Sequence, residues 1–198
     1  MKGLQGLGGA MIAEKVDGSG ERWVFGYGSL MWRPGFAFVE RRPALIHGRR
    51  RAFCIYSVHH RGTPARPGLV LGLAPGGSAR GAAYRVAVAD WPGTYAYLRE
   101  REQPTETYFE AWAKVRLSGG ETVSALVFLS DLTHPQWAGD LALEAQARLI
   151  AGASGFSGRN IDYLRDLVVH LREEDIADGA MERLLARVEA LEAEADAA

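Results

Sequence analysis

The chain turns on Trp23-Val24-Phe25-Gly26-Tyr27-Gly28-Ser29-Leu30. A short apolar run, reading as a buried strand, breaks here into a loop with two glycines, a tyrosine and a serine. Gly26 and Gly28 admit positive φ and let a ligand approach the main chain closely. Successive exposed N–H groups in such a loop can cradle an anion or a developing oxyanion. A strand end with two ordinary turn glycines has the same spacing, so the rest of the chain has to decide.

Neighbouring residues remove two readings at once. Gly26-Tyr27-Gly28-Ser29-Leu30-Met31 holds the first two glycines of a dinucleotide fingerprint, but Met31 stands where the third belongs. Arg33-Pro34-Gly35 then opposes a helix, and no alternating α/β pattern follows. A nucleophile elbow around Ser29 needs glycine at 27 and 31, where Tyr27 and Met31 sit.

Outward from the loop, residues 44–58 read as strand material interrupted by His47-Gly48. Residues 59–68, with their glycines and prolines, read as a loop. A short strand over 69–73, a turn at Pro75-Gly76-Gly77 and a strand over 81–89 suggest a hairpin. Asp90 and Pro92 then open a helix, which Gln103-Pro104 should end. Strands over 107–117 and 122–129 follow, joined at Ser118-Gly119-Gly120-Glu121. Apolar residues recur at helical spacing over 140–150, 159–171 and 180–193. The Leu184, Leu185, Val188 and Leu191 stripe is too short for a coiled coil and should dock on the body. Strands first, one inserted helix, two more strands and terminal helices make an α+β chain with a mainly antiparallel sheet or barrel.

Composition bounds the partners. The 198 residues are 47% hydrophobic and 24% charged, enough for one buried core. A formal charge of −1 gives no argument for nucleic acid or an anionic membrane. Arg49-Arg50-Arg51 is short and interleaved with apolar residues, so it reads as a strand flank. The single cysteine, Cys54, excludes an intrachain disulfide and fits a reducing compartment such as the cytoplasm. No stretch approaches the roughly 18 apolar residues of a membrane span. Residues 1–20 read as a flexible leader, with Met11 an alternative start, before a single domain over 21–195.

Chemistry-bearing residues fall into three groups. His59 and His60 are adjacent, point to opposite faces of an extended segment and lack further ligands at metal spacing, so no metal site is expected. Glu100, Glu102, Glu106 and Glu110 lie where a helix passes into a loop among aromatic residues. A carboxylate desolvated there would have the raised pKa of a useful general base, but periodicity does not choose among the four. Gly155-Phe156-Ser157-Gly158-Arg159-Asn160 precedes a helix that Ser157 or Asn160 can cap.

Together these stretches resemble one family. Val24-Phe25-Gly26-Tyr27-Gly28-Ser29-Leu30-Met31-Trp32-Arg33-Pro34 resembles the opening of ChaC proteins, the glutathione-specific γ-glutamylcyclotransferases. His60-Arg61-Gly62-Thr63 with Pro67-Gly68, Tyr97-Leu98-Arg99-Glu100-Arg101-Glu102, and the stretch from Gly155 to Leu164 resemble their later motifs, in the same order. The resemblance implies a small β-barrel with helices around it and a cofactor-independent reaction on a small molecule. In that reaction the substrate's α-amine attacks its own γ-glutamyl carbonyl, giving 5-oxoproline and Cys-Gly. It places the catalytic glutamate at Glu102 and the substrate loop at Gly26, Tyr27, Gly28, Ser29, Leu30 and Met31. Arg51, Ser157 and Arg159 are further candidates to hold substrate carboxylates. The chain departs from the family at Arg159 and in the short, proline-bearing segment after Glu102, which bears on substrate choice. Two other functions stay open: the same cyclotransfer on another γ-glutamyl amino acid or amine, and a non-catalytic binding module using the amphipathic tail.

Overall fold

The computed structural model describes residues 22–102 and 107–197. The expected leader over 1–20, the alternative start Met11, the Gln103-Pro104 helix stop and Glu106 lie outside these residues.

Five strands close a barrel in the order β1-β3-β2-β4-β5: β1 Arg22–Gly26, β2 Glu40–Ser57, β3 Gly68–Val86, β4 Tyr108–Leu117 and β5 Thr122–Ser130. Every seam is antiparallel except the closing one, where β5 runs parallel to β1 with Trp23 opposite Ala125. The mainly antiparallel sheet or barrel expected from the strand order is a closed barrel, with one parallel seam.

Strand alternation sorts the side chains of β1. Trp23 and Phe25 join Phe53, Leu69 and Leu73 in the larger core cluster, while Val24 turns with Leu126 and Phe128 toward helix α1, Trp91–Glu102. Trp91 and Leu98 of α1 complete that smaller cluster. Three further helices, α2 Leu143–Ile150, α3 Asn160–Glu173 and α4 Gly179–Asp196, contribute Ile150, Leu167 and Val188 to the larger one. The α4 stripe is spent in this packing: Leu184 and Val188 are buried and Leu191 is packed against the core. No helix among the described residues is long and apolar enough to cross a membrane.

The expected hairpin turn at residues 75–77 is not there. Strand β3 runs continuously through it, paired with β2 on both sides. The register slips between His47 and Arg49, where Gly48, Gly76 and Gly77 all adopt positive φ. These glycines build a bulge that bends two long strands rather than a reversal. The reversal lies in the loop over 58–67, and β3 ends at Val86, short of the expected Ala89.

Candidate active site

The opening loop leaves β1 at Gly26 and folds into one 3-10 turn, Ser29–Met31. Within it Met31 N–H donates to the Gly28 carbonyl and Trp32 N–H to that of Ser29. The N–H groups of Ser29 and Leu30 precede the turn's own bonds and donate to no carbonyl within it. The loop's carbonyls, by contrast, are taken. Tyr84 Oη lies 2.9 Å from the Leu30 carbonyl and 2.7 Å from that of Met31, and Arg51 Nε donates to Tyr27 O at 2.8 Å. Tyr27 itself is pinned by its hydroxyl, which donates to Phe128 O on β5 at 2.9 Å.

Glu102 ends α1 directly beside this loop. Its side chain is 20% exposed and lies 3.1 Å from Arg101 Nε. Arg101 also donates to Ser29 Oγ at 3.0 Å and to Tyr97 Oη at 2.8 Å, so one guanidinium ties the loop to the helix end. Burial raises the Glu102 pKa from its ordinary value, against the lowering influence of Arg101. The walls around it are phenolic. Tyr27 and Tyr108 are pushed well above the usual tyrosine value and Tyr163 to about 12, in each case chiefly by burial, so all three stay neutral.

Two cavities meet at this carboxylate. The inner one, about 60 Å³, is lined by Tyr27, Gly28, Ser29, Leu30, Glu102, Tyr108 and Tyr163, with Phe25, Leu71 and Phe128 behind. The outer one, about 360 Å³, shares Ser29, Glu102, Tyr108 and Tyr163 and opens past His60, Arg61, Gln136, Ser157 and Asp166. Its volume falls in the range of about 300–1,000 Å³ typical of small-molecule sites. Of the four candidate carboxylates, Glu102 alone among the described residues lines both cavities. Glu100 is exposed, and Glu110 receives the Tyr95 hydroxyl at 2.7 Å outside both cavities.

The outer wall is built where two motif loops cross. Phe156 and Ser157 donate their N–H groups to the carbonyls of His59 and His60 at 2.8 and 2.9 Å. Asn160 does not cap α3: its Oδ1 accepts from Leu69 N–H at 2.7 Å and its Nδ2 donates to Leu69 O at 2.8 Å. Nor does Ser157, whose Oγ lies 3.0 Å from His60 Nδ1. A Cβ on Gly68 would collide with the Arg61 carbonyl and with Asn160 Oδ1, so the crossing requires glycine. Burial and the neighbouring His59 and Arg61 lower the His60 pKa, which keeps the ring neutral near pH 7.

The six loop residues named from sequence do not all face the cavities. Tyr27, Gly28, Ser29 and Leu30 do; Gly26 lies under Leu30 and Met31 is buried in the core. Two candidate carboxylate holders are already occupied. Arg51 is buried and its Nη1 meets Asp178 Oδ2 at 2.9 Å, and Arg159 Nη2 meets Glu192 Oε2 at 2.6 Å. Neither lines a cavity that Glu102 lines. Sequence reasoning passed over Arg101, Tyr84 and Tyr163 as individuals. Arg101 and Tyr163 sit inside quoted motifs, whereas no local signal marks Tyr84.

The closed barrel with its four helices is the fold of a solved γ-glutamylcyclotransferase. The crystal structure of a yeast γ-glutamylcyclotransferase specific to glutathione superimposes with a TM-score of 0.78 and 26% identity, over 86% of this chain and 96% of that one. The family model described as ChaC-like protein matches residues 22–191. The chain belongs to the ChaC family. It is 39% identical over 185 residues to a glutathione-specific γ-glutamylcyclotransferase of Escherichia coli K12, covering 93% of this chain and 80% of that one. The human glutathione-specific γ-glutamylcyclotransferase 1 is 34% identical over 146 residues, 72% of this chain and 66% of that one.

Proposed function

We propose that this protein cleaves glutathione by intramolecular cyclotransfer, with Glu102 as the general acid and base. The α-amine of the γ-glutamyl unit attacks its own γ-carbonyl, the amide C–N bond breaks, and 5-oxoproline and Cys-Gly leave. The observation that carries the reading is Glu102: a carboxylate with a raised pKa at the junction of both cavities, beside the N-terminal end of the 3-10 turn.

The attacking amine is protonated near neutral pH and must lose a proton before it can act. Glu102 takes that proton, and the same carboxyl returns one to the departing cysteinyl nitrogen. Nucleophile and electrophile belong to one molecule, so the protein has only to fold the substrate into a near-attack pose. Such closures reach effective molarities of about 10⁵ M or more. Charge developing on the γ-oxygen would meet the Ser29 and Leu30 N–H groups, while Arg51 and Tyr84 hold the opposite side of that loop by its carbonyls. The tyrosine walls bury the base and so raise its pKa.

The lone Cys54, buried and pushed up to about 12 by that burial, fits a reducing cytoplasmic setting and plays no part in the chemistry. The test is product identity. Purified protein incubated with glutathione is expected to yield equal amounts of 5-oxoproline and Cys-Gly, with loss of turnover in folded Glu102→Gln. Normal turnover by that variant would remove Glu102 from the role.

A further inference from the structure

We infer that Arg61 is the docking cation for the far carboxylate of the substrate, the one that departs with the released peptide. The inference deepens the proposed function and rests on it.

Most arginines of this chain are neutralised. Arg41, Arg42, Arg50, Arg85 and Arg187 each reach a carboxylate at 2.6–2.9 Å, as do Arg51 and Arg159. In the outer cavity Arg101 is matched to Glu102. That leaves Arg33 and Arg61 against Asp166 among its charged lining residues, an excess of one positive charge. Neither Arg33 nor Arg61 forms an ion pair among the described residues.

The two differ in how they are held. Arg33 is exposed and its side chain has no anchoring hydrogen bond among the described residues. Arg61 is fixed from two sides: Nη1 donates to the Arg159 carbonyl at 3.1 Å, and the guanidinium lies 5.3 Å from the centre of the Tyr163 ring. Its own N–H donates to Ser57 Oγ at 2.9 Å, which fixes the backbone as well. One of five guanidinium N–H donors is spent, so a planar, oriented cation remains with donors for a bidentate carboxylate. An arginine held in place but not neutralised suits an anion that arrives with the ligand.

Tyr163 gives the direction. It lines both cavities, as Glu102 does, and carries the Arg61 guanidinium beside its ring in the outer one. A γ-glutamyl peptide whose γ-carbonyl sits at Glu102 extends outward past this ring. In glutathione its glycyl carboxylate is the only anion beyond the γ-carbonyl. A γ-glutamyl amine has none, so Arg61 would select peptides over amines.

The experiment compares wild type, Arg61→Lys and Arg61→Met on glutathione and on glutathione esterified at the glycyl carboxylate. Binding is also measured by calorimetry with each substrate in the Glu102→Gln background, so that docking is read without turnover. Arg61→Met is expected to raise the KM and Kd for glutathione about 10- to 100-fold, the scale of a charge-assisted hydrogen bond, with kcat little changed. The ester should lose as much with wild type and nothing further with Arg61→Met, and Arg61→Lys should recover part of the loss. Equal losses on acid and ester, a fall in kcat at constant KM, or glutathione binding indifferent to residue 61 would overturn the inference. If glutathione binds in an Arg61-dependent way yet yields no 5-oxoproline, the cyclotransfer reading fails and the docking role stands.

Discussion

The two walls of the site are built by opposite means. The inner wall, residues 26–31, is gripped by side chains from elsewhere: Arg51 from β2 and Tyr84 from β3 hold its carbonyls, and Arg101 from α1 holds the Ser29 hydroxyl. The residues at the start of its turn, Gly28, Ser29 and Leu30, line the inner cavity. The outer wall, where residues 59–68 cross residues 154–160, is held backbone against backbone, with glycine at the points of contact. Its side chains His60, Arg61 and Ser157 line the outer cavity. One wall addresses a ligand with main chain and is tuned from a distance; the other addresses it with side chains and tolerates no bulk at its supports. Changes remote from the inner wall should therefore alter rate, and changes at the tips of the outer wall should alter affinity.

The contrast can be broken first at its centre. Glu102→Gln should lower kcat by about 10²- to 10⁴-fold, the usual worth of a positioned acid–base group. Release of 5-oxoproline in a single-turnover assay measures it. The wild-type acid limb of kcat/KM should lie above the ordinary glutamate value, because the base must be ionised and burial has raised its pKa. Stability carries the matching sign. A carboxyl whose pKa is raised on folding stabilises the fold below its unfolded pKa, and that contribution is lost as pH rises through the folded value. Glu102→Gln should therefore melt no lower than wild type at neutral pH, with any gain vanishing in acid; a large drop in Tm at pH 7 would show that the carboxylate is structural.

Arg51→Met tests remote support of the inner wall. It strands Asp178 and the Tyr27 carbonyl, and removing one partner of a buried pair costs about 3–5 kcal/mol. Denaturant unfolding gives the stability loss; in the surviving folded protein kcat should fall more than KM rises. Gly68→Ala tests the outer wall. The added methyl collides with the Arg61 carbonyl and with Asn160 Oδ1, itself tied to Leu69, so a loss of about 1–3 kcal/mol is expected, with the greater kinetic change in KM. The smallest effect should come from Tyr84→Phe, which leaves the Leu30 and Met31 carbonyls without that donor. It should cost about 1–3 kcal/mol of stability or less and lower kcat by a few-fold at constant KM. A KM effect as large as that of Gly68→Ala would erase the distinction between the walls.

Much of this was legible in the chain because it is local. The run into Gly26-Tyr27-Gly28 announces a strand that ends in a loop, and the order of strands and helices gives an α+β chain with a sheet or barrel, which the family resemblance narrows to a barrel. Gly76-Gly77 misled for a physical reason: a glycine pair serves a bulge as well as a turn, and only Gly48 across the ladder distinguishes them. The choice of Glu102 among its neighbours depends on which helix face meets the cavity, a question of tertiary burial that helix α1, with only Trp91, Thr94 and Leu98 buried, leaves open in sequence. Arg51 and Arg159 looked available because their counter-charges, Asp178 and Glu192, lie far along the chain. Arg61 gave the converse lesson. An arginine beside a glycine is unremarkable until the distant Arg159 carbonyl and Tyr163 ring are seen to hold it.

The Arg51–Asp178 pair also orders the life of the chain. Asp178 caps α4, accepting from Met181 N–H, and through Arg51 it reaches the loop that follows the first strand. The residue that steadies that early loop thus waits for a counter-charge 127 positions later. During synthesis, a nascent chain would display a glycine loop and a glutamate well before the loop is anchored. The anchor that Arg51 gives the loop is complete only once residue 178 has been made and has folded back onto it.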